Sequence, residues 1–203
     1  MTDFRLILIA PDEALCHAWR GAFGSLPDVE IVSGYFEQVP EWDCVVSPAN
    51  SFGLMDGGVD AALVRFFGGK LAERVQARIL EDYLGEQPVG TSFVIETGHA
   101  KHPYLAHTPT MRVPMPIAKG DNVYRAMWAL LLAVRAHNAA SEQPIQSVLC
   151  PGLGTGTGRV PPDEAARQMS LAYKHFRFPP RGLDWSIANA RQNAIRRGGD
   201  FPF

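Results

Sequence analysis

Residues 151–161 read P-G-L-G-T-G-T-G-R-V-P, with Gly152, Gly154, Gly156 and Gly158 at every second position and Thr155 and Thr157 between the last three. Glycine carries no Cβ, so such a stretch can turn with positive φ and let a ligand approach its backbone. An apolar run over 146–150 precedes it, and Pro162-Asp163-Glu164-Ala165 opens a helix after it. A strand, a glycine-rich turn and a helix N-terminus together aim backbone N–H groups at one point, which suits a phosphate. A tight turn alone would not need four alternating glycines. The spacing matches neither G-x-x-x-x-G-K-[ST] nor the dinucleotide G-x-G-x-x-G, so this is a phosphate loop outside the standard nucleotide fingerprints. Arg159 can contact a phosphate there or point to solvent.

A second polar loop, S-P-A-N-S-F-G-L-M-D-G-G-V-D over 47–60, also follows an apolar strand and precedes a helix. Asn50 offers an amide that both donates and accepts. Gly57 and Gly58 permit close backbone approach, and Asp60 falls in the first turn of the following helix. Taken singly, Asp60 would be a dipole-matching cap and Asn50 a turn residue with a local hydrogen bond. Asp56 is a rival carboxylate in the same loop.

These loops need a frame. Strands are predicted over 5–10, 29–32, 43–47, 91–95, 104–108 and 146–150. Helices are predicted over about 13–24, 59–84 (broken near Gly68-Gly69), 122–137 and 162–176. Continuous apolar strands alternating with helices argue a layered α/β fold with a mostly parallel or mixed sheet, and ligands there bind beyond the carboxyl ends of the strands. The chain of 203 residues suits one domain, without internal repeats. A net charge of −2 gives no global pull toward nucleic acid or an anionic membrane, and no run approaches a membrane span. Cys44 and Cys150 lie inside apolar strands and read as reduced core residues, which points to a cytoplasmic protein. His99, His102 and His107 lack the converging ligands a zinc site needs, so no metal is expected.

The two loops together resemble the macro domain family. Residues 43–68 follow its pattern of a strand, N-A-A-N, a glycine-rich loop and V-D at the next helix, here with Ser-Pro-Ala-Asn ending on Asn50. Gly154-Thr155-Gly156-Thr157-Gly158 with Pro161 resembles the family's diphosphate loop. The resemblance implies a three-layer α/β/α fold over 1–178, with 179–203 as a basic C-terminal extension. It implies ADP-ribose, or an ADP-ribosylated substrate, as partner, with the diphosphate between Gly57-Gly58-Val59 and Gly154-Thr155-Gly156-Thr157 and the distal ribose near Ala49 and Asn50. The ten-residue interval from Asn50 to Asp60 is that of the family's hydrolytic branch. By that resemblance Asn50 orients the sugar, Asp60 positions or deprotonates water, and no cofactor is needed.

Where the family places a base-reading Asp after its second strand, this chain has Gly34-Tyr35-Phe36, with Glu37 offset. Tyr35, Phe36 and Phe52 are the aromatic groups able to stack on a base instead. The alternatives to a hydrolase are a binding-only ADP-ribose module and an accessory, phage- or toxin-associated protein whose ligand has changed. In the extension, residues 184–195 can form a short helix, and Arg181, Arg191, Arg196 and Arg197 read as a solvated tail more than a nucleic-acid contact.

Overall fold

A computed structural model describes residues 4–196 of the chain; Arg197 of the arginine-rich end lies outside them. Six strands, β1 (Arg5–Ala10), β2 (Val29–Ser33), β3 (Cys44–Ser47), β4 (Phe93–Glu96), β5 (Tyr104–His107) and β6 (Ser147–Pro151), form one sheet in the order β2-β1-β6-β3-β5-β4. Every neighbouring pair is parallel except β4 with β5. The mixed, mostly parallel sheet is the one expected.

The alternation of side chains along β1 assigns the layers. Leu6 and Leu8 face a core shared with helices α1 (Glu13–Phe23), α4 (Asn122–Ala140) and α5 (Pro162–Arg177). Ile7 and Ile9 face the other core, closed by α2 (Gly58–Phe67) and α3 (Lys70–Tyr83). Successive residues of a strand point to opposite faces, so a two-faced apolar strand must be covered twice. All three cysteines, including Cys16 in α1, are free and buried in the first core.

The break between α2 and α3 falls where the glycine pair stands. Gly68 adopts φ +92°, a left-handed value that stops the helix without the cost a Cβ would add. At the other end of α2, Gly58 adopts φ +55° just after the extended Gly57.

Residues 184–195 do form a helix, α6 (Trp185–Ile195), and it is docked instead of lying free as a solvated tail. Arg167 of α5 donates to the carbonyls of Ala194 and Ile195, satisfying orphan acceptors at the end of α6, while Arg191 lies over the Trp128 ring. These two arginines turn what reads as a solvated tail into a helix held against α5 and α4. No helix among the described residues is long and apolar enough to cross a membrane.

Candidate functional site

Strand order brings the two loops together. β6 pairs directly with β3, Cys44 opposite Val148 and Val45 opposite Leu149, so the stretches leaving their carboxyl ends emerge side by side. Between them lies a cleft of about 300 Å³ lined by Ala49, Asn50, Gly57, Gly58, Val59, Asp60 and residues 154–158. Of the residues singled out by sequence, Arg159 is not in that lining. Its side chain is exposed, and its backbone, at φ +53°, instead closes the loop by donating from N–H to the Gly156 carbonyl at 3.0 Å. A positive-φ residue at that point reverses the chain, which carries the side chain away from the cleft.

Among the described residues, the N–H groups of Gly154, Thr155, Gly156, Thr157 and Gly158 donate to no carbonyl or side chain. Across the cleft the first helical bond of α2 runs from Ala61 to Gly57, leaving the N–H groups before Ala61 pointing out of the helix start. The glycines serve unequal ends. A Cβ on Gly154, at φ +71°, would press on Val123 and Ile117, and one on Gly158 would collide with the Gly154 carbonyl. One on Gly156 would meet nothing within 4 Å and would project into open space. Gly154 and Gly158 therefore shape the loop, while Gly156 keeps its outer side bare.

Asn50, buried, spends much of its amide on its own loop. Nδ2 donates to the Leu54 carbonyl at 2.9 Å, and Oδ1 accepts from Phe52 N–H at 3.0 Å and Leu54 N–H at 3.3 Å. The local turn role and a place in the cleft lining thus coexist. Asp60 is also buried, and its Oδ1 accepts a hydrogen bond from the Ser47 hydroxyl at 2.7 Å. Burial pushes its carboxyl up from 3.8 to about 6; the Ser47 hydrogen bond opposes that rise, and the nearby Asp56 carboxylate adds to it. Asp56 itself is exposed on the rim.

A second, wider cavity of about 570 Å³ continues the cleft, sharing Gly58, Val59, Pro151, Gly152, Thr155 and Gly156 with it. Its far end is formed by Asp12, Tyr35, Phe36, Glu37 and Arg65. Of the aromatic groups, Tyr35 is 62% exposed and available for stacking. Phe36 is a buried member of the second core with its ring edge-on to Phe66, and Phe52 lines neither cavity. Tyr35 is therefore the stacking surface the geometry leaves.

Sequence reasoning missed residues 108–117. Met111 bridges to Asn50, Met111 and Pro114 line the cleft, and Ile117 N–H donates to the Gly158 carbonyl at 2.8 Å. This strap ties one loop to the other. Its available signal was Pro109, Pro114 and Pro116 in one stretch after a strand, marking an irregular segment at the ligand end of the sheet. Among the described residues no three His, Cys, Asp or Glu side chains gather as metal ligands would.

The family model of the Macro domain matches residues 46–169, more than half of the chain. The chain belongs to the macro domain family. An uncharacterised protein of Aquifex aeolicus is 33% identical to this macro domain over 157 residues, 77% of this chain and 86% of the relative. Among solved structures, the macrodomain of Mycobacterium tuberculosis DarG has a TM-score of 0.59 at 21% identity, covering 71% of this chain and 88% of its own. A mutant of the Oceanobacillus iheyensis macrodomain, solved with ADPR, has a TM-score of 0.57 at 17% identity, covering 80% and 89%. Identities this low carry the fold and no residue's role.

Proposed function

We propose that this macro domain binds ADP-ribose across the ends of β3 and β6 and hydrolyses an ADP-ribosyl linkage. The observation that carries the reading is the pair of facing, unspent N–H sets at 58–60 and 154–158 with a buried carboxylate, Asp60, at one end of the cleft between them. Two helix starts and a backbone nest can hold a diphosphate without a lysine. The O. iheyensis neighbour carries ADPR on the same fold, which supports that ligand class here.

With the diphosphate between Gly57-Gly58-Val59 and the glycine loop, one ribose falls beside Ala49, Asn50 and Asp60, and the base falls in the wider cavity at Tyr35. A water at the anomeric carbon gives its proton to the ionised Asp60 carboxylate as its oxygen bonds to that carbon. The bond to the acceptor oxygen breaks, and the leaving oxygen takes the electron pair. The same charge favours the positive character that develops on the sugar. The experiment is chromatography of an ADP-ribosyl carboxylate ester with and without the protein. Free ADP-ribose released at an enzymatic rate supports the reading, and an unchanged ester removes the hydrolytic half of it. A binding-only module is the second reading, favoured by Asn50, whose amide is largely committed to Phe52 and Leu54.

The base end leads to a prediction on specificity. Of its two acids, Asp12 accepts from Ala14 N–H at 2.9 Å as the cap of α1, whereas Glu37 accepts no hydrogen bond among the described residues. A site that stacks a base discriminates weakly, while buried hydrogen bonds discriminate strongly. The Kd values of ADP-ribose and its inosine counterpart are expected to differ by less than roughly tenfold, about 1.4 kcal/mol. A larger preference for adenine that disappears in Glu37→Gln would place base reading on that acid.

A further inference from the structure

We propose that Ser47 is the positioning residue of this site, its hydroxyl holding one oxygen of Asp60 so that the other faces the cleft. The inference rests on the hydrolytic reading above and extends it to a residue that never meets the ligand. Ser47 is fully buried and lines neither cavity, so any effect it has on the reaction passes through Asp60. Its Oγ–H donates to Oδ1 at 2.7 Å. Oδ2 accepts no hydrogen bond among the described residues, and Asp60 lines the cleft, which leaves Oδ2 for water.

The surroundings leave that hydroxyl as the group that acts most directly on the carboxylate. Val45 of β3 and Leu105 of β5 face the core shared with α2 and α3, and two residues on, Ser47 and His107 point the same way as register partners. His107 brings no charge. Burial drives its imidazole down to about 3, and its Nδ1 meets Gln87 Oε1. Gln87 Nε2 donates to the His107 carbonyl, so Oε1 must accept, the ring proton sits on Nδ1, and the ring has no proton on Nε2 to offer. Helix α3, the other element packed on α2, turns Leu71, Val75 and Ile79 inward. Residues 152–158 carry no titratable side chain. The charge that bears on Asp60 is that of Asp56, and it opposes ionisation. A hydroxyl donated to a carboxylate stabilises the charged form more than it stabilises the neutral acid.

The test is a carbon-13 carboxyl NMR titration of the ligand-free protein, with the Asp60 signal assigned by its loss in Asp60→Asn. Wild type is expected to titrate near 6. Ser47→Ala, folded by its amide spectrum, is expected to titrate about one pH unit higher, and Ser47→Thr to return toward wild type. If Ser47→Ala does not fold, Ser47→Cys, close in volume and a poor donor, is expected to shift the same way. Where the wild type turns over an ADP-ribosyl ester, the acid limb of kcat moves by the same interval while KM stays within about twofold, because ground-state binding does not involve Ser47. An unmoved Asp60 midpoint in a folded Ser47→Ala or Ser47→Cys protein overturns the proposal. No turnover by wild type overturns the hydrolytic reading instead, and leaves the titration to decide the hydrogen bond on its own.

Discussion

Gly156→Val is expected to weaken ADP-ribose binding by roughly 100-fold or more, about 2.7 kcal/mol, in a protein that still folds. The position borders both cavities, where they share the glycine loop. Its φ is not in the left-handed region, and a Cβ placed on it meets nothing within 4 Å. The isopropyl group would therefore cost the fold little and fill the space where the proposed reading puts a phosphate oxygen against the Gly156 and Thr157 N–H groups. Gly158→Val is the contrast: its Cβ runs into the Gly154 carbonyl, so the loop itself must shift. Calorimetric Kd values and thermal midpoints of the two variants check the difference. Gly156→Val retaining wild-type affinity would move the phosphate site off this loop.

Asp60→Asn is expected to lower kcat by about 10³-fold while leaving the ADP-ribose Kd within about threefold, since general-base assistance is exerted in the transition state. The wild-type rate is expected to rise with pH through about 6, as Asp60 loses its proton. Stability should move oppositely. A carboxyl whose folded value is raised disfavours its own ionisation, so stability falls as pH climbs from 3.8 through about 6. That interval corresponds to about 3 kcal/mol at pH 7, an upper figure because the replacement amide must still find partners. Asp60→Asn should accordingly melt higher than wild type at pH 7 and show no gain at pH 3.5. Equal losses in binding and rate, without a gain in melting temperature, would mark Asp60 as a cap of α2 and nothing more.

Much of this was legible in the chain. Leu6 to Ile9 are apolar on both sides, which requires two covering layers, and the helix break at Gly68-Gly69 needs only the conformational preference of glycine. That each glycine loop leaves the carboxyl end of a strand is equally plain; that the two line one cleft follows only once β3 and β6 are neighbours. Strand adjacency itself is a long-range fact, and whatever depends on it was not legible. The Ser47–Asp60 hydrogen bond joins residues thirteen apart, through the packing of α2 on β3. The strap at 108–117 carries no periodicity, and its role comes from bridging Asn50 and Gly158. The sequence left Arg159 open between phosphate and solvent, because its positive φ, which goes with an exposed side chain outside the cleft lining, is not written in its residue type. Phe36 and Phe52 were candidates for stacking by composition alone, and neighbours such as Phe66 decide which ring is free.

The most direct measurement is a set of calorimetric titrations of the wild-type protein with ADP-ribose, AMP and ribose 5-phosphate. On the proposed reading the two N–H sets hold a diphosphate that only the whole ligand possesses, and each half would fill one of the two joined cavities. ADP-ribose is expected to bind at one site per chain, at least roughly 100-fold tighter than either half, as linked groups sharing one ordering cost should. Binding of AMP or ribose 5-phosphate as tight as that of ADP-ribose, or of the halves alone, would contradict a ligand lying across the ends of β3 and β6.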